Sequence, residues 1–488
     1  MALLKDTGVP HHAPADASRT SSVPLAVDLD GTLLRTDTLL ESLFALARGG
    51  ASRLLLLPLW LRHGRAHLKQ RLAECAPLDV KTLPVSGELL EHLRAQRRAG
   101  RRLILVTGAD QRIAHAVADE LGLFDAVLAS DGTLNLTAER KRDRLVAEFG
   151  ERGFDYVGNS ARDVPVLAAA RRALLVAPSP RVAAAARRVA QVERVFAPGA
   201  PPLSAYLGAM RVQHWLKNLL LLVPLLAAHR LHDPAMLSRA LLAAFSFSLA
   251  ASGVYLLNDL LDLPADRRHP HKRQRALASG RIPIAHALVL LPALWIAAAL
   301  LGAALPARFV ASLGVYAALM LGYSARLKDI AIVDALVLAA GYTLRILAGS
   351  LAVRVAVSPW LLVCSMALFF GLALLKRYAE LVALRPELGA QARVRAYRVA
   401  DATLIAALGL ASGCVAVALL ALYPIVEPWD HARWRVWLVS VLLLFWIGHM
   451  WLMADRGMIH DDPVAYALRD RVSRVFGLIV AALLLTQT

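Results

Sequence analysis

The sequence predicts a two-domain chain: an N-terminal α/β domain with a parallel, Rossmann-like sheet, followed by an all-α membrane bundle of about nine transmembrane helices. Three observations predict it. Up to about residue 200 the chain reads as a soluble α/β protein, whereas beyond that point long apolar runs dominate. The 488 residues are 57% hydrophobic and only 19% charged, with a mean hydropathy of +0.51, less charge than a soluble protein of this length usually carries. The formal net charge of +18 comes mostly from arginine, and these cations sit largely in short loops between apolar runs. That placement points to membrane topology and phosphate binding and away from nucleic acid.

Residues 1–22 are polar, contain Pro, Ser and His, and have no apolar core of a signal peptide. A disordered tail is expected there, with the domain behind it, residues 23–200, in the cytosol. That domain opens with VPLAVDLDGTLL, an apolar strand ending in Asp28 and Asp30. RLILVTG follows, a buried strand that ends at Thr107. Lys141 comes after a turn-rich stretch, and FDYVGNSARD carries Asn159 and Asp163 at another strand end. The strand ends of a parallel sheet converge on one crevice, so these groups are expected to meet. The three cysteines, Cys75, Cys364 and Cys414, lack metal-ligand spacing and read as ordinary packing residues.

These four pieces, in this order, resemble the haloacid dehalogenase superfamily. The resemblance implies that Asp28 is a nucleophile forming an aspartyl-phosphate, that Asp30 is the general acid and base, and that Thr107 and Lys141 hold phosphoryl oxygens. It also implies Mg2+ on Asp28, the Asp30 carbonyl and Asp163, and a small helical cap over residues 36 to 85. One departure stands out: the family usually has Gly-Asp where this chain has Gly158-Asn159. The domain is then either an active phosphatase or a binding or structural relic.

Pro198 to Pro202 form a Pro/Gly linker, and residues 201–488 form the membrane domain. Nine apolar segments centre near residues 220, 248, 293, 315, 341, 368, 412, 443 and 479, each roughly 17 to 24 residues and so long enough to cross a bilayer as a helix. Basic residues crowd alternate loops: Arg267 to Arg281, Arg326 with Lys328, Lys376 and Arg377 with Arg393 to Arg398, and Arg456 to Arg471. The positive-inside rule places those loops in the cytosol of a bacterial plasma (inner) membrane and the C-terminus on the far side.

The second span ends in carboxylates. Asn258, Asp262 and Asp266 are four apart and would share a helix face, with Asp259 beside them and Pro264 able to bend the last turn. A carboxylate next to hydrocarbon is costly unless paired or metal-bound, and this oxygen set suits Mg2+. Tyr323-Ser324 to Asp334 echoes it one loop later. Asp334 enters an apolar span, Asp329 lies at a loop edge, and Lys328 either clamps a phosphate or serves topology alone. The patterns NDxxDxxxD and YSxxLKxxxxxD resemble the UbiA superfamily of intramembrane prenyltransferases. The resemblance implies Mg2+ bridging Asn258, Asp259, Asp262, Asp266 and Asp334 to a diphosphate at the cytosolic face, and a polyprenyl lipid as the partner in the bilayer.

The next stretch, from Asp266 through His269-Pro270 and Lys272-Arg273 to Arg275, is similar to the decaprenyl-phosphate phosphoribosyltransferase branch, as is Arg211 to Asn218. A donor and an acceptor that both carry phosphate need more cations than a neutral aromatic acid does. Lys217, Arg267, Lys272, Arg273, Arg275 and Lys328 supply them, with Tyr323 beside them. His269 either bonds a ribose or phosphate or caps a turn. Members of that branch tend to have Arg-Pro-Ile-Ala-Ala-Gly where this chain has Arg275-Ala-Leu-Ala-Ser-Gly280. Three functions stay open: phosphoribosyl transfer to a polyprenyl phosphate, prenyl transfer from a polyprenyl diphosphate to an aromatic or other small acceptor, and a transporter or scaffold. No protein partner is readable.

Overall fold

The computed structural model describes residues 23–196, 201–388, 393–426, 433–459 and 462–485; the tail expected over residues 1–22 lies outside them. By its internal contacts the chain divides into two compact units, Met1–Ala209 with Asp259–Val289, and Met210–Asn258 with Leu290–Thr488.

In the first unit, six strands form one parallel sheet: β1 Leu25–Val27, β2 Leu103–Asp110, β3 Ala126–Ser130, β4 Asp155–Gly158, β5 Ala173–Val176 and β6 Val192–Phe196, in the order β3-β2-β1-β4-β5-β6. Successive strand residues face opposite sides, and both sides are covered. Leu25, Val27, Leu105 and Val157 pack into one core and Ala26, Ile104, Val106 and Tyr156 into another, hence the nearly unbroken apolar strands. Helices α1 Thr38–Arg48, α2 Leu57–Arg62 and α3 Arg65–Cys75 form the cap, with a small core of Leu46, Trp60, Leu72 and Ala76. Helices α4 Gly87–Arg98, α5 Gln111–Leu121, α6 Glu139–Phe149, α7 Val164–Ala169 and α8 Pro180–Val189 join the strands, and α9 Leu203–Ala209 follows. Strand order reverses around β1, which puts the crevice at the ends of β1 and β4.

The second unit is helical. Residues Val212–Leu222 are a 3-10 helix running into α10 Val223–Ala227. Along the chain then come α11 Pro234–Leu261, the short α12 Leu263–Arg268, which groups with the first unit as does the start of the next helix, α13 Ile284–Gly302, α14 Ala307–Ala325, α15 Val333–Val353, α16 Pro359–Leu388, α17 Ala402–Val426, α18 Arg433–Asp455, α19 Pro463–Arg469 and α20 Arg471–Leu485. A two-residue hairpin, β7 Arg393–Val394 with β8 Tyr397–Arg398, follows α16. Among the described residues seven helices are long and apolar enough to cross a membrane, against the nine expected. The segment near residue 220 is mostly 3-10 helix, and α20 has 15 described residues, short of the roughly 20 that a span needs.

The acid-bearing turn also differs from the single helical face anticipated. α11 stops at Leu261, Asp262 caps α12, and Pro264 sits in the first turn of α12. Proline has no N–H to continue α11 and its ring crowds the carbonyl four residues back, so α11 ends and a separate short helix begins.

Candidate active sites

In the first unit the DxDGT turn brings the predicted groups together. Asp28 leaves β1 buried, and its Oδ1 accepts from Lys141 Nζ at 2.7 Å and its Oδ2 from Thr32 Oγ1 at 3.0 Å. Lys141, delivered by α6, also donates to the Tyr156 hydroxyl at 3.0 Å and lies 3.6 Å from Asp163. The Asp30 carboxylate accepts from Thr38 N at 2.9 Å and Thr38 Oγ1 at 3.2 Å, at the start of the cap. Gly31 has φ +73°, so the turn favours glycine there. Thr107 is fully buried, and its hydroxyl accepts from Ala109 N; at that strand end Gly108 lines the cavity instead.

Burial pushes Asp28 up, against the pull of Lys141. Burial, then the Asp37 charge, push Asp30 up to about 7. Burial works against the ammonium of Lys141, but Asp28 and Asp163 outweigh it and raise the group. Asp163 goes the other way: burial opposes its charge and Lys141 overcomes that, leaving it below the usual carboxylate range. A carboxyl that keeps its proton near neutrality beside one held by a lysine is a pairing suited to phosphoryl transfer.

Among the described residues no group of three or more His, Cys, Asp or Glu is placed to hold a metal ion. Asp163 is more fully committed. Its Oδ2 accepts from Asn159 N, Ser160 N and Ser160 Oγ, and its Oδ1 accepts from Tyr156, which occupies most of its lone pairs. A cavity of about 790 Å³ opens here, lined by Asp28, Asp30, Lys69, Lys141, Arg162 and His286 among others. Lys69 was not singled out from sequence. It sits in the polar helix α3, where nothing marks it apart from its neighbours, yet it lines the cavity and donates to Asn135 Oδ1 at 2.9 Å.

The first acidic motif gathers on one cation. Arg275 Nη1 lies 3.3 Å from Asp259 Oδ1 and 2.7 Å from Asp266 Oδ2, and both carboxylates are buried. Arg275 stands between these two carboxylates and supplies their counter-charge. Asp262 is half-buried at the head of α12. Arg267 is buried and committed: it donates to the Ala278 carbonyl at 3.1 Å and to Glu41 Oε1 at 2.5 Å. Lys272 and Arg273 are exposed on the loop. His269 Nδ1 accepts from the His271 and Lys272 backbones, the turn-capping role of the two considered.

In the second unit Asn258 Oδ1 accepts from Ser324 Oγ, so the amide of the first motif meets the serine of the second. Lys328 is half-buried in the 3-10 turn Leu327–Asp329. Asp334 is fully buried in the first turn of α15, where a helix N-terminus favours negative charge. Its Oδ2 accepts from Arg377 Nε at 2.6 Å and its Oδ1 from the Tyr397 hydroxyl. Arg377 also donates to Tyr323 Oη at 3.1 Å. The sequence reading placed Arg377 in a loop after the sixth span; α16 instead continues through it, and its side chain is 1% exposed. Lys217 pairs with Asp462 and lies 5.6 Å from the Tyr342 ring centroid.

Residues 219–469, just over half of the chain, match the model of the UbiA prenyltransferase family, and residues 25–168 match that of haloacid dehalogenase-like hydrolases. Uncharacterized protein y4nM of Sinorhizobium fredii is 36% identical over 470 residues, covering 94% of this chain and 90% of that protein. Nodulation protein NoeC of Azorhizobium caulinodans is 34% identical over 282 residues, 56% of this chain and 90% of that protein. Decaprenyl-phosphate phosphoribosyltransferase of Mycolicibacterium smegmatis is 38% identical over 184 residues, 37% of this chain and 58% of that protein. The chain therefore belongs to the UbiA prenyltransferase family, an integral membrane enzyme that carries a haloacid dehalogenase-like domain at its N-terminal end.

Proposed function

We propose that this chain transfers 5-phosphoribose from phosphoribosyl diphosphate to a polyprenyl phosphate at the cytosolic face of a bacterial inner membrane, and that its N-terminal domain then removes the 5-phosphate from the product. The observation that carries this reading is the convergence of Asp259 and Asp266 on Arg275 within a strongly basic loop. Similarity to a protein named decaprenyl-phosphate phosphoribosyltransferase supports it.

Asp259, Asp262 and Asp266 would hold Mg2+, which supplies positive charge to a departing diphosphate. Lys272, Arg273 and Lys328 neutralise the donor and acceptor phosphates. An oxygen of the lipid phosphate attacks C1 of the ribose as the C1–O bond to diphosphate breaks; that oxygen is already an anion, so no strong general base is needed. Arg267, committed to Glu41, positions the loop.

In the N-terminal domain, Asp28 attacks the 5-phosphate phosphorus while Asp30 protonates the leaving ribose oxygen. Water then attacks the aspartyl-phosphate, giving its proton back to Asp30 and releasing inorganic phosphate. Lys141 holds Asp28 in line. The test is incubation of membranes with labelled phosphoribosyl diphosphate, a polyprenyl phosphate and Mg2+. Wild type is expected to form the dephosphorylated lipid product, Asp28→Asn to accumulate its 5-phosphate, and Asp262→Ala to lose on the order of 100-fold or more in rate. If wild type turns over only a prenyl diphosphate with an aromatic acceptor, the phosphoribosyl reading is wrong. If the 5-phosphate persists equally in wild type and Asp28→Asn, the phosphatase step is wrong.

A further inference from the structure

Beside Asp334, in the second unit, a group of side chains lies outside both acidic motifs except for Tyr323. Two guanidinium groups meet at the Tyr323 hydroxyl: Arg377 Nη2 donates to it at 3.1 Å and Arg395 Nη1 donates to it as well. The Arg395 guanidinium carbon also stands 5.6 Å from the Tyr323 ring centroid. With its oxygen taken by two cationic donors, the Tyr323 proton has no acceptor among the described residues. An O–H flanked by two guanidinium groups is a donor set suited to an anion.

The charges say which group lacks a counterion. Arg377 is neutralised by Asp334 and Glu380, each at 2.6 Å. Arg395 is exposed and makes no ion pair among the described residues. It also holds an uncommon backbone conformation. It follows Val394 at the turn of the β7–β8 hairpin with φ +55°, a region that non-glycine residues other than Asn and Asp seldom visit. A strained residue whose exposed cation is aimed at a motif tyrosine is a pattern that recurs at ligand clamps. The next strand of the hairpin then supplies Tyr397, whose hydroxyl bonds Asp334 and accepts from Ile332 N at 2.8 Å. The hairpin is thus fixed against α15, and its turn presents Arg395.

We propose that Arg395, Arg377 and Tyr323 form a phosphate-monoester subsite that serves a second phosphate of the substrates, apart from the diphosphate that the acidic motifs address. The inference rests on the phosphoribosyl reading for its ligand, because a prenyl diphosphate has no such group. Two sources carry the same chemistry: the 5-phosphate of the donor and the phosphate of the lipid acceptor.

The test uses the full-length chain purified in detergent, with Arg395→Ala as the main variant because Arg395 is exposed and its loss leaves the buried Arg377–Asp334 pair in place. Tyr323→Phe is the second variant; it keeps the ring and removes the donor. Binding is measured with ribose 5-phosphate and, separately, with inorganic diphosphate. Loss of one charge-assisted contact is expected to weaken ribose 5-phosphate about tenfold or more and to leave diphosphate within about twofold. Kinetics then separate the two sources. A raised KM for phosphoribosyl diphosphate alone assigns the subsite to the donor, and a raised KM for the polyprenyl phosphate alone assigns it to the acceptor. Unchanged ribose 5-phosphate binding in both variants, or equal weakening of diphosphate, overturns the subsite. Absence of phosphoribosyl transfer by wild type overturns the functional reading instead, and the binding arm still reports on the subsite.

Discussion

Asp155, the first residue of β4, is buried between two arginines. Arg171 grips both of its oxygens, at 2.9 and 2.8 Å, and Arg101 reaches the second of them. Burial alone would raise this carboxyl, but the bond from Arg171 and the charge of Arg101 outweigh it and the group is held below its ordinary range. A depressed folded-state value means that the contribution to stability is complete above the ordinary carboxylate value and disappears as pH falls through the folded one. Asp155→Asn is therefore expected to cost about 2–4 kcal/mol at pH 7 and progressively less below about pH 4, read from denaturant melts of both proteins across that range. At this scale the sequence was legible where chemistry sits at a strand end: Asp28, Lys141 and Asp163 do meet. It was mute on Lys69, Arg377 and Arg395, whose partners lie on other elements, because a lone cation on a polar helix or after an apolar run looks like any solvated charge.

Among the elements, close approach of backbones decides more than side-chain type. A Cβ on Gly349 in α15 would stand 2.1 Å from the Leu221 carbonyl oxygen of the 3-10 helix. Small residues let membrane helices touch in this way, and a backbone oxygen cannot swing aside. Gly349→Ala is expected to destabilise the bundle by about 1–3 kcal/mol, seen as a lower melting temperature in detergent. The long spans were legible because twenty apolar residues in a row have few other uses. The segment near residue 220 was not, since apolar content does not distinguish an α-helix from the 3-10 helix found there. The break at Pro264 was visible as a bend, but Asp262 taking the cap of a new helix, rather than sharing one face with Asn258 and Asp266, depends on where α11 gives way.

For the whole molecule, seven helices among the described residues are long and apolar enough to cross a membrane, and the basic loops predict which face meets the cytosol. In inverted inner-membrane vesicles, added protease is expected to digest the N-terminal domain, while in intact spheroplasts the same domain should survive; protection in vesicles would reverse the topology. That an α/β part precedes a helical membrane part was legible as a change in hydropathy along the chain. What hydropathy does not disclose is that residues Asp259–Val289 group by contact with the N-terminal unit, because that grouping arises from pairings between residues far apart in the chain.

One of those pairings bears on how the gene can be cut. Arg267 and Glu41 are 4% and 3% exposed, and each is the other's counter-charge; Arg268 similarly reaches Asp79. Truncation at the Pro/Gly linker would strip Glu41 from a sealed guanidinium, and an orphaned interior charge is among the costlier defects a fold can suffer. A shortened gene would thus damage the very loop it was meant to isolate, so the halves are better silenced one at a time by point substitution than parted by scissors.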